Sequence, residues 1–189
     1  MARPRYNKQD LRARQKLENA FWMCLDEMPY EKMTVATLVE HAGVNRNTFY
    51  YYFDNVEDMA RTVFDETVIK ELPTIMLNAF SSGKAFEQID LPEDMLPRID
   101  KLLRVAKSDS PYLTNLLAEF IRQTWLKNLG LDYAKLNLQE RIQFEFVLGG
   151  MLSGLKLMES SNYLEVVGAL YNNELGHGVM ATISGLGKK

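Results

Sequence analysis

The chain has 189 residues, 47% hydrophobic and 25% charged, with 22 Lys and Arg against 25 Asp and Glu for a net charge of −3. This length suits one domain, or a small domain joined to a slightly larger one, and it can bury a core without disulfides. A single cysteine, Cys24, and two histidines, His41 and His177, exclude an intrachain disulfide framework, a cysteine-based zinc site and a histidine-rich metal centre.

Membrane insertion and secretion are not expected. The longest run without Asp, Glu, Lys or Arg is Leu175 to Gly187, 13 residues, where a spanning helix needs about 20. The basic first 16 residues are not followed by the apolar run of a secretory leader. The expectation is a soluble protein of a reducing compartment, the cytoplasm, with no membrane partner. Charge is uneven: residues 1–53 carry +2, residues 54–189 carry −5, and the first 16 residues carry +5. Such a basic end fits either polyanion binding or a plain solvated tail.

Asn7 with Asp10 reads as a helix cap with an acidic first turn. Leu17, Ala20, Phe21, Cys24 and Met28 then recur at spacings of three and four, the apolar stripe of a helix that Pro29 ends. Cys24 lies on that stripe, a small core residue and not a nucleophile. Thr34 caps a short second helix, Val35 to Ala42, with Val35, Leu38, Val39 and Ala42 inward. Gly43 stands where the chain must turn left-handed, and Asn45 caps a third helix after a three-residue turn. Two short helices joined in this way form a helix-turn-helix. The third helix ends near Phe53, and Asn55 with Asp58 opens a fourth running through Met59, Val63 and Val68 towards Pro73.

Beyond a loop at Ser81-Ser82-Gly83, helices are expected over about 93–108 and from a Ser110 cap with Pro111 in first position to Leu129. Two more are expected over 139–159 and 163–184, parted by Ser160-Ser161-Asn162. No period-2 alternation is sustained, so the chain reads as all-α, without internal repeats.

The third helix carries the chemistry. Phe49 to Phe53 are five consecutive aromatics, and about 100° per residue spreads them right around a helix. Phe49 and Phe53 share one side with Asn45; Asn47, Thr48, Tyr50 and Tyr51 cover the rest. If the phenylalanines face the core, the tyrosines cannot all do so. Outward hydroxyl and amide groups suit phosphates and base edges, and the start of the second helix at Thr34 offers free backbone N–H groups to a phosphate.

The stretch Thr34-Val35 … Ala42-Gly43-Val44-Asn45-Arg46-Asn47-Thr48-Phe49-Tyr50-Tyr51-Tyr52-Phe53-Asp54-Asn55-Val56-Glu57-Asp58-Met59 resembles the DNA-binding signature of the tetracycline-repressor (TetR/AcrR) family. The resemblance covers about residues 8–68; the remainder agrees only in length and helical character. It implies a three-helix helix-turn-helix DNA-binding domain over 1–68 and a helical ligand-binding and dimerisation domain over 69–189. It implies a homodimeric, ligand-responsive transcription regulator, a repressor on a pseudo-palindromic operator in double-stranded DNA, with no cofactor. Arg46, Asn47, Thr48, Tyr50, Tyr51 and Tyr52 fall where family members touch bases or phosphates, and Thr34 at the backbone-anchoring start of the second helix. One departure stands out: Val56 replaces the usual lysine, a phosphate contact that Arg46 and the Arg3/Arg5 arm are placed to substitute. That departure and the acidic body motivate an alternative, a small-molecule-binding helical dimer whose head no longer reads DNA.

In the family the C-terminal body holds a small effector that shifts the spacing of the two heads. Phe120, Thr124, Trp125 and Met151 are candidate pocket residues, with plain core packing as the competing reading. Gly149-Gly150 and Ser153-Gly154 repeat at i,i+4, which suits either a dimer seam or close packing within the chain. Neither this segment nor Gly185-Leu186-Gly187-Lys188 has the surroundings of a phosphate loop. His41 and His177 have no spaced catalytic or ligating partner, so no enzymatic or metal site is expected.

Overall fold

The computed structural model describes residues 8–67, 95–159, 162, 165–166, 169 and 174–187. The described residues form helices and turns with no strand. They comprise α1 (Lys8–Glu27), α2 (Val35–Ala42), α3 (Arg46–Tyr52), α4 (Val56–Thr67), α5 (Leu96–Lys107), α6 (Pro111–Leu129), α7 (Leu138–Leu155) and α8 (Glu174–Gly185). Two short 3₁₀ turns, Tyr30–Lys32 and Tyr133–Lys135, fall between helices where the periodicity gives no signal. None of the described helices is long and apolar enough to cross a membrane.

The chain divides into two compact units: Met1–Thr67 with Ser108–Leu113, and Val68–Lys107 with Thr114–Lys189. In the first, α1 packs against both α2 and α3, which also pack on each other. Leu17, Phe21 and Cys24 of α1, Leu38 of α2, Phe49 of α3 and Met59 of α4 are almost wholly buried. At about 1.5–3 kcal/mol per large apolar side chain, their burial holds these short helices, which would be unstable alone.

The boundaries follow from capping. Thr34 Oγ1 accepts the Thr37 N–H at 3.1 Å, and Gly43 closes α2 at φ +60°. Val44 N–H returns to the Val39 carbonyl at 3.0 Å, so the expected three-residue turn forms. Asn45 Oδ1 accepts the Thr48 N–H at 2.8 Å to start α3, and Asn55 Oδ1 accepts the Asp58 N–H at 2.8 Å to start α4. The Asp58 carboxylate binds the N–H of Asp54, one residue earlier than a regular capping box would have it. Asn7, Arg3, Arg5, Val68 to Pro73 and the Ser81-Ser82-Gly83 loop lie outside the described residues.

In the second unit α7 packs against α5 and α8. It opens with a reciprocal capping box between Asn137 and Glu140 and ends at Leu155, four residues short of the expected end. There the Lys156, Leu157 and Met158 N–H groups bond three residues back, to Ser153, Gly154 and Leu155, which tightens the chain and buries Met158. Glycines at 149, 150 and 154 leave little helix propensity to oppose this turn. The last expected helix is described from Glu174 to Gly185; most of 160–173 lies outside the described residues.

Candidate nucleic-acid interface

The α3 helix is amphipathic in an unusual way: its buried side is phenyl and its exposed side is phenol. Phe49 is 0% and Phe53 2% exposed, whereas Tyr50 is 46% and Tyr51 52% exposed. Arg46 and Asn47 are also exposed, while Thr48 and Tyr52 are half-buried. The exposed set therefore gathers Arg46, Asn47, Tyr50 and Tyr51 on one short helix, in about two turns.

These side chains are held in place. The Arg46 guanidinium donates to the Tyr50 hydroxyl at 3.1 Å and lies 5.5 Å from the centre of the same ring. A cation braced on an aromatic face loses less entropy on meeting a phosphate or a guanine edge. Tyr51 meets Tyr52 edge-on at 4.8 Å, and Tyr52 leans on Phe53 at 6.3 Å, so the half-buried ring supports the exposed one. Thr48 is placed differently from its neighbours: its hydroxyl donates to Asn45 Oδ1 at 3.1 Å, joining the cap. Thr34 is exposed at the start of α2, where its hydroxyl pairs with that of Thr37 at 2.8 Å. Thr37 was not singled out from the sequence, although its position three residues after the cap was the available signal. Val56 is half-buried at the first position of α4.

His41 ties α2 to α1. Its Nδ1 lies 2.9 Å from the Thr37 carbonyl oxygen and its Nε2 3.0 Å from the Glu27 carboxylate. The backbone bond, reinforced by Glu27, holds this imidazole above its ordinary pKa. Cys24 is fully buried, and burial pushes its thiol up, away from reactivity. No cluster of three His, Cys, Asp or Glu able to hold a metal occurs among the described residues.

In the second unit, Phe120, Thr124 and Met151 are half-buried and Trp125 is 1% exposed. The Thr124 hydroxyl donates to the Phe120 carbonyl at 2.9 Å, which joins those two on one face of α6. Trp125 meets Phe144 of α7 edge-on at 6.2 Å, and its indole N–H is buried without an acceptor among the described residues. Beside them Arg122 grips Glu145 with two N–H groups at 3.2 and 2.7 Å and Glu119 at 2.7 Å. That guanidinium lowers the Glu145 carboxyl pKa.

The small-residue pattern on α7 is resolved only in part. Gly149, Gly150 and Ser153 are exposed, but Gly154, one turn beyond Gly150, is buried. Among the described residues, a Cβ built on Gly149 or Gly150 meets nothing within 4 Å. The residues missed in the sequence are Leu138, Ile142 and Phe146, which are 75%, 60% and 75% exposed.

A short capped helix offering arginine, amide and phenol groups, set after a second helix with an open N-terminus, defines a helix-turn-helix nucleic-acid-binding head. Residues 20–63 match the family model of bacterial regulatory proteins, tetR family. Over residues 20–63 the head is thus similar to that of tetR-family regulatory proteins, which supports reading the chain as a DNA-binding transcriptional regulator. Among solved structures it is similar to the TetR family repressor AlkX from Dietzia sp. strain DQ12-45-1b, described as implicated in biodegradation of n-alkanes. That likeness is 16% in identity with a TM-score of 0.33, covering 84% of this chain and 96% of the other. No curated protein matches the chain.

Proposed function

We propose that this regulator is a repressor that binds a pseudo-palindromic operator as a homodimer and releases it when a small, largely apolar effector enters the second unit. The observation that carries the reading is the exposed set Arg46, Asn47, Tyr50 and Tyr51, backed by the buried Phe49 and Phe53. Thr34, Thr48 and Tyr52 serve it as a backbone anchor, a cap partner and a ring support. Side chains of this chemistry pair with base edges and phosphates in the major groove. The exposed tyrosines weigh against the alternative of a head that has ceased to read DNA.

Dimerisation is supported by α7. Leu138, Ile142, Phe146, Gly149 and Ser153 lie within about 80° of one another around the helix and all are exposed. A contiguous apolar strip of this kind marks an association surface, and the two glycines let a second helix approach closely. A second copy of the chain presents the same strip, so two-fold pairing is self-complementary. For the effector, Phe120, Thr124, Trp125 and Met151 supply apolar wall, and the unpaired Trp125 N–H supplies a donor. An unpaired buried N–H costs about 1–3 kcal/mol, which an acceptor on a bound molecule would relieve.

The test is selection of duplexes from a randomised pool by the purified chain, followed by gel shift. Enrichment of an inverted repeat with half-sites about one or more helical turns apart supports the reading. Failure to enrich any sequence overturns it.

A further inference from the structure

Among the described residues one non-glycine position has a positive φ, Asp109 at +52°. Such a conformation persists where its surroundings hold it, and aspartate tolerates it better than most residues. Asp109 turns α5 into α6, and the segment Ser108–Leu113 groups with the DNA-binding head. The contacts explain why. Ser110 is fully buried; its hydroxyl accepts the Leu113 N–H at 3.4 Å, capping α6, and donates to the Glu31 carboxylate at 2.6 Å. Two residues on, the Tyr112 ring stacks on Tyr30 with centres 5.4 Å apart and planes 7° from parallel. The Tyr112 hydroxyl donates to the Glu57 carbonyl at 3.2 Å, and Arg61, one turn further along α4, hydrogen-bonds the same phenol.

Tyr30 and Glu31 belong to the turn that leads into α2, and Glu57 lies in the first turn after α3. Tyr112 therefore touches the chain on both sides of the α2–α3 pair. We propose that Tyr112 is a positioning residue for DNA recognition: it clamps the entry and exit of the helix-turn-helix and so sets the angle at which α3 is offered to the groove. It does not touch DNA itself. Base-edge contacts depend on sub-ångström placement, whereas contacts to phosphates along a backbone tolerate more. The clamp thus governs selectivity more than bulk attraction.

This inference rests on the reading of the chain as a sequence-selective DNA binder. Its test is Tyr112→Phe in the full-length protein, which keeps the ring on Tyr30 and deletes the hydroxyl's bonds to Glu57 and Arg61. Affinity is measured for the duplex that the wild type selects and for a random duplex, alongside the thermal midpoint. The expected result is a loss of about five- to tenfold on the selected duplex, the scale of one or two hydrogen bonds, with random-duplex affinity and the midpoint nearly unchanged. Tyr112→Leu, which also removes the stack, is expected to lose more selectivity. Two results overturn the clamp alone: a Tyr112→Phe variant that binds the selected duplex like the wild type, or one that loses both affinities and the midpoint together. A wild type that selects no duplex overturns the DNA reading, and the clamp with it.

Discussion

Nε2 of His41 lies 3.0 Å from the Glu27 carboxylate while Nδ1 lies 2.9 Å from the Thr37 carbonyl oxygen. Both partners only accept, so the imidazolium, with a proton on each ring nitrogen, is the form that satisfies both contacts between the last turn of α2 and the end of α1. The Thr37 bond first, then Glu27 and more weakly Glu40, raise its pKa above the ordinary 6.5. A raised folded-state pKa gives stability that is fully present below about 6.5 and is lost as pH rises through the raised value. The urea midpoint of wild type is therefore expected to exceed that of His41→Ala most at about pH 5.5, with the gap closing as pH rises through the raised pKa. A gap independent of pH would show that the imidazolium is not the tie.

Gly43 has φ +60° and open space where a Cβ would stand. Gly43→Ala therefore meets no clash, only the left-handed backbone, and is expected to cost about 1–2 kcal/mol in urea unfolding. Fluorescence-monitored unfolding checks this, and a neutral substitution would mean that the turn relaxes to another conformation.

On α7, Phe146 is 75% exposed between Ile142 and the open Gly149 and Gly150. Phe146→Glu is expected to weaken the proposed dimer more than tenfold in sedimentation equilibrium, because a buried unpaired carboxylate disfavours the paired state by several kcal/mol. Its helical content and the folding of the head stay as in wild type. A variant still dimeric at the same concentrations would move the seam elsewhere.

The helix-turn-helix was legible because its signals are local. Thr34, Gly43 and Asn45 each specify a boundary through a bond or backbone angle within a few residues of themselves. The phase of α3 was equally legible, since Phe49 and Phe53 leave the tyrosines no inward room. Other features depend on contacts that spacing does not encode. Ser110 and Tyr112 join the head across 79 and 55 residues of chain. The outer face of α7 was hidden because that helix is apolar on both sides, with Phe144, Val147 and Leu148 buried opposite Ile142 and Phe146, so no amphipathic period stands out. Thr48 looked like its neighbours in the sequence and differs only because the Asn45 carboxamide takes its hydroxyl.

On the proposed reading, the two sides of α3 separate stability from recognition. Phe49→Ala removes a ring that is 0% exposed and is expected to cost about 3–5 kcal/mol of folding stability. Circular-dichroism melting of the head checks it, and a midpoint near that of wild type would show that α3 is not held by its phenyl side.

The most direct measurement is the affinity of Tyr51→Ala for the selected duplex across a salt series, beside its thermal midpoint. Tyr51 is 52% exposed, so folding should be preserved while specific binding weakens by about 1–3 kcal/mol, with the affinity of both proteins falling steeply as salt rises. A Tyr51→Ala protein that melts like wild type and binds the selected duplex with undiminished affinity would contradict the assignment of this face to DNA.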